Sequence, residues 1–477
     1  MQSFIHTTDN GNLYLYYDQS RLSFLIHPEF ERACKNETDV DLYYLKKYAY
    51  FIDHGFFDSQ MITDFRKLEE SEVVDNIFNT KQIVFEVTDS CNLNCTYCSL
   101  GELYEGYDER IEKKINTRYA INLLKYIFDI KPKNKNSRLF ISFYGGEALL
   151  NMNFIKRIIE ISKKLNEDKE FDLVYTMTTN ATLIDRHIKF LYENKFKLLI
   201  SLDGNEVNHS YRVLKKNNKN SFQKVIQNID MIQKNYPEYF SSHVNFNAVL
   251  HNKNSVKEIY EFIYKRYNKI PRISELNTRD IRSDNESIIE TMYHNRWKSE
   301  VEFQEEKSEL SHITHSELVL FSELTNFLKY TSVNYYISNI NALFHIKEKY
   351  LPSCTCTPFS KKFFLTNRNK LLPCEKISYN YSMGRVEENI EIDIPEITRR
   401  YNNYYDKLLN SCKSCYAYRF CSVCLFVLKN IEIETDKFVC ERYQDQKEFK
   451  NKLNRIFSFL EQYPTDFAEI LENVILE

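Results

Sequence analysis

The sequence predicts an α/β fold built on a parallel sheet, with a small α+β module before it and a cysteine-rich segment after it. Three observations predict this. Residues 83–285 alternate strand-like apolar runs with amphipathic runs of helical period, and repeated strand–helix units give parallel strands. Residues 12–26 alternate in a hairpin-like way around a short turn at 18–21. Eight of the twelve cysteines lie beyond residue 350.

The strand-like runs are 83–87, 139–144, 173–177, 197–202, 244–250 and 272–276. Between the first two, Tyr119/Ala120, Leu123/Leu124 and Ile127/Phe128 recur at four-residue spacing, as on one face of a helix. Phe222, Val225, Ile226 and Ile229 repeat that pattern after Ser221, a favourable N-cap residue. The run Ser255-Val-Lys-Glu258 reads as a capping box opening another helix. Ahead of the sheet, helical text covers 40–52 and 62–78. Residues 286–350 have neither glycine nor proline and read as helices bridging two domains. His312 and His315, at HxxH spacing without a third ligand, read as solvated side chains. The expected domains are 1–80, 81–285, 286–350, 351–445 and a C-terminal helix in 446–477.

Composition narrows the function. A chain of 477 residues buries a sizeable core and holds two or three domains. Its net charge of −3 does not suggest a nucleic-acid partner. The first ten residues have no basic or apolar signal region, and no apolar run approaches membrane-spanning length. A cytoplasmic protein without a membrane partner is expected. The 35 tyrosines and 34 phenylalanines, alongside abundant Asn and Lys, read as AT-rich coding bias rather than as an aromatic surface. Twelve cysteines in a cytosolic chain favour metal or redox chemistry over disulfides.

The sharpest motif is Cys91-x3-Cys95-x2-Cys98, directly after the first strand-like run. Three thiolates can hold three corners of a four-iron, four-sulfur cluster and leave the fourth iron open. Zinc is the plainer alternative, but its usual spacings are CxxC pairs. With Tyr97 before the last cysteine, the run resembles the signature of the radical S-adenosylmethionine (SAM) enzymes. That likeness implies a partial (β/α)6 TIM-like barrel with its chemistry at the C-terminal strand ends. It implies an open iron that binds SAM, whose reductive cleavage gives a 5′-deoxyadenosyl radical. A flavodoxin or ferredoxin would supply the electron.

Further segments fit the resemblance. Gly145-Gly146-Glu147 resembles the motif that contacts the SAM amino group. In a chain of only eight glycines an adjacent pair is notable; glycine lets backbone approach a ligand closely, and Glu147 can accept from an ammonium. Asn180, Ser201 and Asp203 lie in segments resembling those that line the SAM ribose and the substrate edge, with Ala181 where the family has glycine. Arg212 stands at a family-like distance to pair with the SAM carboxylate. The glycines expected after it are replaced by Asn218 and Asn220, and Asn tolerates left-handed backbone.

The remaining cysteines resemble the SPASM domain, which binds two auxiliary four-iron clusters. The likeness implies one cluster on Cys354, Cys356, Cys374 and Cys424 and another on Cys412, Cys415, Cys421 and Cys440, three [4Fe-4S] clusters in all. Zinc knuckles are the competing reading. Cys421 and Cys424 are one residue closer than the family pattern. Cys354-Thr-Cys356 is an unusually tight pair. Asn369 replaces a hairpin glycine. Glu375 stands where sulfatase-maturing relatives carry an acidic base. The function expected is oxidative modification, by a thioether or carbon–carbon crosslink, of a ribosomally made precursor peptide recognised through residues 1–80. Formylglycine formation in a sulfatase and a non-catalytic iron–sulfur or zinc scaffold are the alternatives.

Overall fold

A computed structural model describes the chain except residues 1–2, 19–21, 59–63, 315–318, 320, 322, 326–350, 353–354, 422, 430, 433–437 and 466–477. Cys354, His315, the His312 side chain and most of the expected 286–350 bridge lie outside the described residues. The chain divides into two compact units, one of residues 1–68, 318–355 and 399–477 and the other of residues 69–317 and 356–398.

In the first unit, β1 (Phe4–Thr7), β2 (Leu13–Tyr17) and β3 (Leu22–Ile26) form an antiparallel sheet in that order. The hairpin expected from alternation is β2–β3. The strand β1 carries only two buried side chains in four residues, too short a pattern to read. One sheet face packs on the C-terminal helix Gln446–Gln462. There Phe449 lies 5.3 Å from Tyr16 and stacks on Phe420 at 5.6 Å. The other face meets Phe30 and Phe56. The helix Leu42–Asp53 has no buried residue.

In the second unit, the six expected strands are present as β4 (Gln82–Thr88), β6 (Arg138–Gly145), β7 (Asp172–Thr179), β8 (Lys197–Ser201), β10 (Val244–Leu250) and β11 (Arg272–Glu275). They pair in sequence order and all in parallel. Helices pack between them through the predicted faces; Ala120, Leu123, Leu124, Ile127 and Phe128 are all buried. Two local expectations resolve differently. Ser255 caps its helix by accepting from Glu258 N–H, whereas Ser221 makes no cap bond. Its hydroxyl instead donates to Arg212 O at 2.7 Å and lies 3.1 Å from His209 Nε2. The helix expected from residue 62 begins at Glu70, where Glu69 and Glu72 form a reciprocal cap. Two short strands unread in the sequence, β5 (Leu93–Cys95) and β9 (Arg212–Leu214), pair antiparallel.

The segment 356–398 continues the sheet. The strand β12 (Lys362–Leu365) adds parallel to β4, followed antiparallel by β13 (Lys370–Leu372), β14 (Gly384–Val386) and β15 (Ile390–Glu391). Asn369 turns the β12–β13 hairpin at φ +68°, the left-handed backbone that Asn tolerates. Glu86 of β4 holds this hairpin in place. Its buried carboxylate accepts from Asn367 N–H at 3.0 Å and Tyr379 O–H at 2.9 Å. Burial pushes its pKa up to about 7.

A carboxyl with a raised native pKa stabilises the fold at low pH and loses that contribution as pH rises through the native value. Hydrogen exchange in Lys362–Leu372, corrected for intrinsic rate, is therefore expected to show protection falling between about pH 4.5 and 7. Glu86→Gln is expected to flatten that slope. An unchanged slope would show that another group sets it.

Candidate functional site

The Cys91–Cys98 loop leaves the end of β4 and is tied to the end of β6 by backbone alone. Gly146 N–H donates to Thr88 O and Glu147 N–H to Ser90 O, each at 2.9 Å. This explains the glycine pair. A Cβ on Gly145 would stand 2.4 Å from Thr88 O, and one on Gly146 would stand 2.1 Å from Ser90 O. The close approach is to the cysteine loop itself, where the sequence suggested a ligand. Gly145 also has φ +124°, which favours glycine.

Glu147 braces the next strand end. Its carboxylate accepts from Leu149 N–H (3.1 Å), Thr179 O–H (2.7 Å) and Asn180 N–H (2.7 Å), and burial raises its pKa. A carboxylate offers about four acceptor positions, so a place on Oε2 is left for an incoming donor. Asn180 reaches back to the loop, donating to Asn92 Oδ1 at 2.9 Å with Cys91 Sγ 3.8 Å away. Asn92 in turn donates to Thr182 at 2.7 Å. Ala181 holds the left-handed φ of +60° between them.

On the other side of the loop, β5 carries Cys95 and β9 carries Arg212 as its direct cross-strand partner. The Arg212 fork grips Asp203 at 2.8 and 2.9 Å, and both side chains are buried. Tyr97 O–H also donates to Asp203, and Val249 N–H does so at 2.9 Å. Burial alone would raise the Asp203 pKa; the Arg212 guanidinium instead holds it well below the usual carboxylate range. His251, at the end of β10, lies 3.8 Å from the same carboxylate. Asn218 keeps its left-handed turn at φ +55°. Ser201 closes β8 opposite Asn247.

The three thiols share one electrostatic neighbourhood, since the charges of Cys91 and Cys98 both act on Cys95. Burial pushes Cys91 up to about 11 and Cys95 up to about 12; binding a metal itself removes these protons, and nearby cationic partners favour the resulting thiolates. One such partner is Arg110. Its Nη2 donates to Cys98 Sγ at 3.3 Å, and its buried Nε has no hydrogen-bond partner. Three thiols and an unmatched buried N–H suit an anionic cluster with an open corner. Among the described residues, no three His, Cys, Asp or Glu side chains gather to the spacing of a single metal ion.

In the other unit, the thiols of Cys415, Cys421 and Cys440 all act on Cys412, which burial raises. Ser411 Oγ accepts from Cys440 N–H at 3.1 Å, and Cys415 Sγ accepts from Gln444 N–H at 3.4 Å. Thr355, between Cys354 and Cys356 in sequence, accepts at 2.7 Å from Leu425 N–H, next to Cys424. Cys374 lies in the barrel unit beside Glu375, whose two oxygens take Lys362 Nζ at 3.1 and 3.0 Å.

Residues 85–263 match the model of the radical SAM superfamily. The chain carries a radical SAM domain. It is 26% identical over 244 residues to the radical SAM cyclopropyl synthase TigE of Paramaledivibacter caminithermalis, covering 49% of either chain, so it spans about half of that relative. It is 27% identical over 353 residues to a cysteine-type anaerobic sulfatase-maturating enzyme of Clostridium novyi, covering 71% of this chain and 86% of the relative. The solved structure of anSMEcpe with bound AdoMet and Cp18Cys peptide shares the fold at a TM-score of 0.55 and 18% identity, over 82% of this chain and 99% of the other. Radical SAM enzymes use a four-iron, four-sulfur cluster and SAM.

Sequence reasoning missed Arg110, His251, Asn92 and Lys362 at this site. His251 had a usable signal, because it directly follows a strand. Arg110 lies in an irregular loop, where no periodicity or spacing marks it.

Two substitutions test the radical SAM site. Gly146→Ala forces the Asp89–Ser90 backbone aside, so reconstituted protein is expected to keep its circular dichroism and lose the SAM-dependent change in its cluster EPR spectrum. Asp203→Ala strands the buried Arg212 charge, and denaturant unfolding is expected to show a loss of about 3–5 kcal/mol.

Proposed function

We propose that this chain is a radical SAM/SPASM maturase that oxidatively modifies a peptide or protein, most specifically by crosslinking a ribosomally made precursor peptide. The observation that carries this is the pairing of two thiol sets. One lies at the barrel strand ends with Glu147, Asn180 and the Asp203–Arg212 pair around it. The other gathers Cys412, Cys415, Cys421 and Cys440.

Cys91, Cys95 and Cys98 would hold the SAM-binding cluster, and the eight cysteines beyond residue 350 would hold two auxiliary clusters, leaving Cys34 outside all three. When bound, the cluster and SAM would supply a 5′-deoxyadenosyl radical able to remove hydrogen from substrate. The chain's own residues do the rest. Glu147 offers its free acceptor position to the SAM ammonium. Arg212 has two of its five N–H donors engaged by Asp203, and the others would be available to the SAM carboxylate. Tyr97, Asn180 and Ser201 would line the rest of the cofactor, with Gly145 and Gly146 seating the cysteine loop beside it. Glu375, held by Lys362, takes the proton released as the substrate oxidises. Cys412, Cys415, Cys421 and Cys440 would hold a cluster that could accept the electron.

Formylglycine formation is the second reading, supported by alignment over 86% of the Clostridium novyi sulfatase-maturating enzyme. Oxygen-free reconstitution is expected to give about a dozen irons per chain and SAM-dependent release of 5′-deoxyadenosine. Cys98→Ala is expected to abolish the release, and Cys421→Ala to keep it while lowering iron content and product. Mass spectrometry of peptide encoded beside the gene, or of a sulfatase peptide, separates the two substrates. Tightly bound zinc without SAM cleavage would point to a scaffold.

A further inference from the structure

The loop 99–116 is irregular yet fixed on both sides of Arg110. Upstream, Gly106 O accepts from Tyr379 N–H at 2.7 Å and Ser378 O–H at 2.9 Å, and Asp108 pairs with Lys370 at 2.7 Å. Glu109 O accepts from Arg368 at 2.7 Å. Downstream, Ile111 N–H donates to Asp89 at 3.2 Å, Asp89 N–H donates to Lys113 O at 3.1 Å, and Ile115 N–H donates to Val87 O at 3.2 Å. The guanidinium is thereby presented to the cysteines from an anchored backbone. Among the described residues its sole hydrogen-bond partner is Cys98 Sγ, its Nε is unmatched, and the charges that act on it are those of the three thiols. Cys91 and Cys95 also lie within its electrostatic reach. A partly buried cation facing neutral thiols would be costly; facing thiolates on an iron–sulfur cluster it is compensated, and its unmatched Nε–H points to a further acceptor there.

We infer that Arg110 is a positioning residue that sets the reduction potential of the cluster held by Cys91, Cys95 and Cys98. Hydrogen bonds to cluster sulfur and nearby charge are general determinants of that potential. Reduction adds one electron to an already anionic centre, so a donor cation stabilises the reduced state more than the oxidised one and raises the potential. The inference rests on the cluster reading under Proposed function. Iron content and a SAM-responsive EPR signal in the unmutated chain test that reading separately.

The experiment is a redox titration of the EPR signal that responds to added SAM, in the full-length chain reconstituted without oxygen. Arg110→Gln is expected to keep that signal and its iron while shifting the reduction equilibrium at least tenfold toward the oxidised cluster, a 59 mV fall for a one-electron couple. Arg110→Lys, which keeps the charge but not the planar fork, is expected to fall between. An unshifted midpoint in a loaded Arg110→Gln protein would overturn the inference. So would loss of the signal from both variants with circular dichroism retained, because Arg110 would then serve assembly.

Discussion

Everything at the strand ends depends on one close contact, the backbone of Gly145 and Gly146 lying against the backbone of Thr88–Ser90. Two hydrogen bonds of 2.9 Å close it, and space for a single Cβ would open it. Through that contact the loop after β4 and the turn after β6 become one rigid piece. Glu147 then passes the constraint to β7 through Thr179 and Asn180, and Asn180 returns it to Asn92. The cysteine loop is thus held by a closed ring of short polar contacts spanning three neighbouring strands. A ligand set for a cluster needs this rigidity, because its geometry has to persist while the cluster changes charge.

The second constraint is electrostatic and comes from the far side of the loop. The β5–β9 ribbon places Arg212 directly across from Cys95. An isolated buried guanidinium there would be costly, and Asp203 neutralises it with a two-point grip strengthened by Tyr97 and Val249. The Tyr97 ring also lies 5.4 Å from the Arg212 guanidinium. The aromatic residue before Cys98 therefore acts on both members of the ion pair, with its hydroxyl on one and its face on the other. That gives a physical reason for an aromatic hydroxyl at that place in the motif.

Most of this was legible because strand-end chemistry is written in short contiguous runs. Six parallel strands followed from alternating periods, and the Cys91–Cys95–Cys98 group stood out by its spacing, whereas the grouping of the later cysteines came only from the family resemblance. What stayed hidden came from contacts between distant segments. Glu86 reads as a polar interruption in an apolar strand, and its role appears only when Asn367 and Tyr379 arrive from almost three hundred residues away. Ser221 has the chemistry of a helix cap, but the nearby Arg212 carbonyl and His209 ring take its hydroxyl instead. The strand β12 has only four residues and joins the sheet at β4, where its register is set by a partner that local propensity cannot indicate. The asparagines at positive φ, Asn218 and Asn369, were readable because the physical reason for Asn in place of Gly is local.

The two arginines near the cysteines show how compensation sorts side chains into roles. Arg212 is matched within the chain by Asp203, so its position is fixed whether or not anything else binds. Among the described residues Arg110 is matched only by Cys98, and its Nε has no acceptor. The first arrangement organises the fold and keeps spare donors for a ligand. The second has a favourable electrostatic environment only when negative charge resides on the sulfurs it faces. A chain that neutralised both arginines internally would gain stability and lose a cation whose field varies in value with the charge of the sulfurs it faces. The unmatched guanidinium is therefore a local cost in the bare fold, offset when the thiols become ligands, and it couples the anchored 99–116 loop to the charge state of the site.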